Sequence, residues 1–214
     1  MSADVPGGFG ADVPGGFGAD VPDGFGTSGP HAHERRFPLG PEKLRTPERL
    51  ALLERERVML LCREGARLLS VLDVGTGTGV FAETFAGASL RVTGIDPNAG
   101  FLDVARRLVP GVEFREGVAE LLPFEDGTFD LVFLGQVLHE TDDPAAALKE
   151  AHRVALKRVA LLEWPYRSEE IGPPLAHRME SSRILELARS TGFLAVEKIE
   201  LTRLDFYRLT LRES

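Results

Sequence analysis

The stretch Val71-Leu72-Asp73-Val74-Gly75-Thr76-Gly77-Thr78-Gly79 constrains this chain more than any other. The apolar run from Leu68 to Val74 has the length of a buried strand. It stops at a loop with glycine at every second position, and a helix-forming segment follows through Ala86. Glycines at such a junction let the backbone turn sharply and approach a ligand closely. The same alternation recurs downstream. Arg91–Ile95 reads as a strand ending at Asp96, and Pro97-Asn98 opens a helix with Phe101, Leu102, Ala105 and Leu108 on one face. Short strands follow at 112–115 and 129–134, and Asp143-Pro144 caps a helix running to about Leu156. A fifth strand covers Val159–Trp164, a last helix runs from Ser181 or Ser182 to Thr191 and is closed by Gly192, and 196–201 and 205–211 are closing strands. Strand–helix repetition needs crossover connections, which predicts an α/β fold with a doubly wound, mostly parallel seven-stranded sheet and ligands at the carboxyl ends of its strands. Before it, Thr46-Pro47 starts a helical pattern that continues to about Arg63.

Residues 3–26 are a different kind of sequence: ADVPGGFG, ADVPGGFG and ADVPDGFG in succession. With Val and Phe as its large apolar groups, each unit buries too little surface to offset the entropy of ordering its backbone, so disorder is expected over 1–30. Phe9, Phe17 and Phe25 at a spacing of eight could serve as weak multivalent contacts; a tolerated duplication is the plainer reading. The expected organisation is a low-complexity tail at 1–30, a helical cap segment at 31–64 and an α/β domain at 65–214.

Charge narrows the partners. With 33 acidic and 25 basic side chains the net charge is −8, of which Asp4, Asp12, Asp20 and Asp23 of the tail supply half. A mildly acidic domain without a basic stripe argues against nucleic acid or an anionic membrane surface and for a small-molecule partner. The single Cys62 can close no intramolecular disulfide, which fits a reducing, cytoplasmic setting. There is neither a signal-peptide pattern nor an apolar run long enough to insert in a membrane. His31 and His33 have no further ligand nearby in sequence, and no metal site is expected.

The glycine register separates two cofactor classes. A dinucleotide loop is spaced G-x-G-x-x-G, whereas Gly75, Gly77 and Gly79 are spaced G-x-G-x-G directly after Asp73. This arrangement resembles motif I of class I S-adenosylmethionine-dependent methyltransferases. Further along, Gly117 to Val132 resembles the run GDAxxLPFxDxSFDxV of the small-molecule branch. With 136–144 and 161–165, the resemblance extends over about 68–164 and is nearest to the ubiquinone/menaquinone-biosynthesis C-methyltransferases of the methyltransferase type 11 kind. It implies S-adenosylmethionine as cofactor and S-adenosylhomocysteine as product, held by Asp73, Gly75, Thr76, Gly77, Gly79, Asp96, Pro97, Val118, Ala119 and Gln136. Asp73 would support the methionine portion and Asp96 the ribose hydroxyls; the backbone N–H of Ala119 would meet the adenine, with Leu121 or Phe101 as apolar cover.

Two departures stand out. The adenine-facing Asp of the family is Val118 here, removing one acceptor for the exocyclic amine, a bond of about 0.5–1.5 kcal/mol. The usual LKPGG turn is reduced to Ala155-Leu156-Lys157-Arg158, which is expected to tighten the connection beside the substrate face.

On the acceptor side, His139 follows the fourth strand and has a near-neutral ordinary pKa that suits a base; Glu140 is a second candidate. A hydrogen-bonded structural histidine explains His139 equally well, because orientation alone accelerates such a displacement strongly. Trp164, Tyr166 and His177, with His139, are candidates for the substrate pocket, and core packing accounts for Trp164 almost as well. The expected function is methyl transfer to a small molecule by a monomer or homodimer. A cofactor-binding protein without turnover is the alternative. A nicotinamide dehydrogenase lacks its glycine register here, and a nucleic-acid or protein methyltransferase lacks a base-flipping motif and a basic stripe.

Overall fold

A computed structural model describes residue 1 and residues 40–211. The repeats and the histidines at 31 and 33 lie outside the described residues.

Seven strands form one sheet in the order β3-β2-β1-β4-β5-β7-β6. They are β1 (Ser70–Val74), β2 (Arg91–Asp96), β3 (Glu113–Glu116), β4 (Phe129–Gly135), β5 (Ala155–Glu163), β6 (Ala195–Glu200) and β7 (Asp205–Thr210). β1 to β5 pair in parallel, and β7 is antiparallel to both β5 and β6. The helices are α1 (Pro47–Leu52), α2 (Arg55–Arg63), α3 (Val80–Gly87), α4 (Ala99–Leu108), α5 (Pro144–Val154) and α6 (Ser181–Ser190).

Side chains that alternate along each strand sort into two cores. Val71, Leu131, Phe133, Ala160, Leu162 and Phe206 pack with residues of α2, α3 and α4 on one face. Leu72, Val132, Leu134, Val159, Leu161 and Tyr207 pack with α5 and α6 on the other. A sheet covered on both faces demands strands that are apolar at successive positions, which is why β1 and β4 are buried almost throughout. The caps follow the sequence: Asn98 Oδ1 accepts the N–H of Phe101, and Asp143 Oδ1 accepts those of Ala145 and Ala146.

Two expectations are corrected. The helix predicted over 46–63 is two helices, because Glu54 stands in the left-handed region at φ 43°. Its carboxylate is engaged by the N–H of Thr202 and by Arg57, an anchor that turns α2 onto the sheet and leaves α1 free to cross the strand ends. The shortened connection at 155–158 is not a turn. Val154 ends α5 and Ala155 begins β5, with the extra residue absorbed as a bulge opposite Phe129 and Leu131. This junction lies at the amino end of β5, the far side of the sheet from the strand ends where Gly135 and Glu163 stand, so it does not touch a site there.

Candidate active site

β2 lies to one side of β1 and β4 to the other, and the crevice between two such diverging connections is where doubly wound folds bind ligands. A cleft of about 500 Å³ opens there. Gly75 and Gly77 form its floor, and Asp96, Pro97, Asn98 and Ala99 one flank. Phe101, Gly117, Val118, Ala119 and Glu120 line it too, as do Leu44, Arg49, Gly135, Gln136, Val137, Glu140 and Thr141.

Gly75 has φ 64°, and a Cβ on it would be driven into the Val137 side chain, so this position admits glycine on both counts. Asp96, at the end of β2, is buried. Its Oδ2 accepts the N–H of Gly77 and its Oδ1 that of Asn98, both at 2.8 Å. Each carboxylate oxygen keeps one lone pair, the arrangement that accepts two neighbouring hydroxyls. Burial pushes the Asp96 carboxyl up, opposed by the Asn98 and Gly77 N–H groups.

Asp73, Thr76 and Gly79 stand behind the cleft wall. The Thr76 hydroxyl donates to Asp73 Oδ2 at 2.6 Å, and burial, with Asp96 adding to it, pushes the Asp73 carboxyl up to about 7. Asp73 therefore braces the loop from below and reaches a ligand only through it. Gly79 begins α3 against Phe114, Val109 and Ala105.

His139 is 5% exposed and turned away from the cleft. Its Nδ1 is 2.7 Å from Glu163 Oε2, and its Nε2 3.8 Å from Glu140 Oε1. Glu163 Oε1 also accepts the N–H of Leu138. Burial pulls the imidazolium of His139 down, but Glu163, by charge and hydrogen bond, and then Glu140 outweigh it, and the ring titrates above its ordinary value. His139 is thus held in the core by Glu163, whereas the neighbouring Glu140 lines the cleft. His139 and His177 share a smaller cavity of about 110 Å³ with Arg178 and Met179. Trp164 is buried beneath Arg178 and Tyr166 is exposed, so the cleft brings together neither of them with His177.

Several lining residues escape sequence reasoning. Leu44 packs on Gly77, and Arg49 of α1 donates to Gln136 Oε1 across 87 residues of sequence. Arg45 clamps the same strap to the Thr78 carbonyl at 2.8 Å and to Glu83 at 2.8 Å. Thr46, read as an N-cap, marks the start of this helix without revealing what it covers.

This geometry defines a class of protein: a Rossmann-like domain whose switch-point cleft fits a nucleoside carrying a charged tail. Phe101, Val118 and Ala119 give the cleft apolar lining, and Asp96 and Arg49 bring charge of both signs to it. Residues 72–162 match the methyltransferase domain family. It is 42% identical over 92 residues to the demethylmenaquinone methyltransferase of Chlorobaculum tepidum, covering 42% of this chain and 38% of that protein. To that of Renibacterium salmoninarum it is 37% identical over 103 residues, covering 48% and 44%. The chain thus spans about two fifths of the length of these relatives. A solved S-adenosylmethionine-dependent methyltransferase from Aquifex aeolicus superposes with a TM-score of 0.72 at 25% identity, over 81% of this chain and 100% of that one.

Among the described residues no group of three His, Cys, Asp or Glu is placed to hold a metal ion, and no helix is long and apolar enough to cross a membrane.

Proposed function

We propose that this protein transfers a methyl group from S-adenosylmethionine to a small-molecule acceptor. The observation that carries the reading is Asp96, buried at the carboxyl end of β2 beside the glycine floor, with one lone pair left on each oxygen. When bound, the cofactor supplies an electrophilic methyl on a sulfonium. The chain's own part is positional. Gly75 and Gly77 admit the amino-acid end, Asp96 fixes the ribose, and Phe101, Val118 and the Ala119 backbone flank the base, with Pro97 and Gln136 completing the wall. Holding two reactants in line is worth an effective molarity of roughly 10⁵–10⁸ M, so little further chemistry is asked of the protein.

Where the acceptor has a proton to lose, Glu140 is a cleft carboxylate that can take it, and His139 acts on Glu140 as a positioning residue backed by Glu163. The names of the relatives from Chlorobaculum and Renibacterium make a reduced, hydroxylated quinone ring the first acceptor class to try. In this reading 65–214 is the catalytic domain, 31–64 its cap, and the protein works in the cytoplasm as a monomer or homodimer without nucleic acid. The single Cys62 and the net charge of −8 support that setting.

The test is to incubate the protein with S-adenosylmethionine and a panel of reduced quinones, catechols and amines, and to follow S-adenosylhomocysteine together with a methylated product by mass spectrometry. Acceptor-dependent formation of both is the expected result. Cofactor binding with no methylated product from any class would put the non-catalytic reading in its place.

A further inference from the structure

Gln136, in the turn that follows β4, is held in a conformation that a residue with a side chain rarely adopts. It stands at φ 62°, in the left-handed region, and is 7% exposed. Two contacts pin it there. Its backbone N–H donates to the Leu162 carbonyl of β5 at 2.7 Å, and the next side chain, Val137, covers Gly75. Strain of this kind persists where the surroundings over-determine it, and it clusters at ligand sites. Gln136 is one of the residues that line the cleft.

The amide of Gln136 has a fixed sense. A guanidinium only donates, so the 2.5 Å bond from Arg49 identifies the atom facing α1 as Oε1. The other atom, Nε2, is buried and has no hydrogen-bond partner among the described residues. A buried amide donor left unpaired is costly, and a ligand that supplies an acceptor offsets the cost.

Strand order separates the ligands. Asp96 and Phe101 follow β2, Gly117 to Ala119 follow β3, and the glycine floor follows β1, whereas Gln136 and Glu140 follow β4 on the other side of β1. A cofactor with its ribose at Asp96 and its amino-acid end at Gly75 and Gly77 takes the β2 and β1 side, and the β4 side is left to the acceptor. Gln136 and Glu140 share one turn there, closed by the Glu140 N–H to the Val137 carbonyl at 2.8 Å. An amide donor next to a carboxylate complements a molecule that presents a bare oxygen lone pair together with an acidic group.

We infer that the Gln136 amide N–H is a specificity-determining donor for the acceptor: it bonds a carbonyl or phenolate oxygen beside Glu140 and disfavours molecules that offer only hydrogens at that point. The inference rests on the reading of the cleft as a methyltransferase site. The Arg49 bond serves it by keeping the donor end of the amide away from α1.

Menadione, whose two ring carbonyls accept hydrogen bonds and donate none, is compared with 2-methylnaphthalene, the same ring skeleton without oxygen. Each is titrated by calorimetry into protein saturated with S-adenosylhomocysteine. The parent protein should bind menadione about tenfold or more tightly than the hydrocarbon. Gln136→Glu keeps the size of the side chain and puts an oxygen where the donor stood, and Gln136→Gly relieves the left-handed backbone while removing the donor. In both, the preference for menadione should disappear. A merely structural role weakens the two probes together and keeps the preference, which overturns the inference; so does a parent protein that binds menadione no better than the hydrocarbon, or binds neither. Weaker S-adenosylhomocysteine binding in the variants with the preference intact makes the cofactor the partner of Nε2, and overturns it as well. If the parent protein binds no S-adenosylhomocysteine, the cofactor reading itself fails and the inference with it. Thermal unfolding of each variant without ligand shows that it is folded.

Discussion

Glu163 at the end of β5 and His139 after β4 are joined by a 2.7 Å hydrogen bond between Oε2 and Nδ1, with both side chains almost wholly buried. Glu163 favours the protonated ring by its charge and by this hydrogen bond, against the burial that disfavours it. With Glu140 on the cleft side of the ring and Arg49 beyond it, charges of alternating sign run from the β5 end to the cleft wall.

The pair predicts a pH dependence. His139 has a folded pKa above its unfolded value of about 6.5, so its contribution is fully present below about pH 6.5 and is lost as pH rises through the folded value. Glu163→Gln removes the charge that holds the proton, leaving burial to push the ring below its ordinary value. At pH 6 the substitution should cost about 3–5 kcal/mol, and clearly less at pH 9. Denaturant unfolding at the two pH values, with ring titration by nuclear magnetic resonance, checks both.

Asp73 acts in an adjoining window. Its carboxyl is raised to about 7, so ionising it in the fold is a cost that is absent below about pH 4, grows between about pH 4 and pH 7 and is complete above that. In Asp73→Asn this part of the pH slope disappears. The difference in unfolding free energy between parent and variant should shift by about 1–4 kcal/mol in the variant's favour between pH 4 and pH 8. An unchanged difference would mean that Asp73 is not a strained carboxylate.

Arg178 ties down the loop after β5. It donates to the carbonyls of Pro173, Pro165, Arg167 and Ile171, with its guanidinium 5.1 Å from the centre of the Trp164 ring. Lysine offers three donors on one atom and cannot span four carbonyls. Arg178→Lys should lose about 2–4 kcal/mol and raise hydrogen exchange over 165–178 selectively.

Gly75→Ala probes the floor. The left-handed backbone costs an L-residue about 1–2 kcal/mol, and the new methyl group meets Val137. Binding of S-adenosylhomocysteine should weaken strongly, because Gly75 and Val137 both line the cleft and relieving the contact displaces one of them. Calorimetry on the folded variant reads this out.

Local signals carried the fold. The apolar strand before Gly75, the caps Asn98 and Asp143, and the recurring strand–helix spacing place β1 to β5 and their helices, because each is encoded within a few neighbouring residues. What those signals miss is set by distance. Nothing local at Arg49 points to Gln136, and His139 looks like a cleft base until Glu163 is seen to draw it into the core. The break at Glu54 is hidden for the same reason, since the N–H that stabilises it belongs to Thr202.

The most direct test of the account is titration of the protein with S-adenosylhomocysteine by calorimetry, with NADH as control and Asp96→Ala alongside. Saturable binding that is lost in the variant, with no heat from NADH, is the predicted result. Ligand at 100 times its dissociation constant should then add roughly 2.7 kcal/mol to stability. No binding of S-adenosylhomocysteine by the folded parent protein, or equal binding by Asp96→Ala, would contradict it.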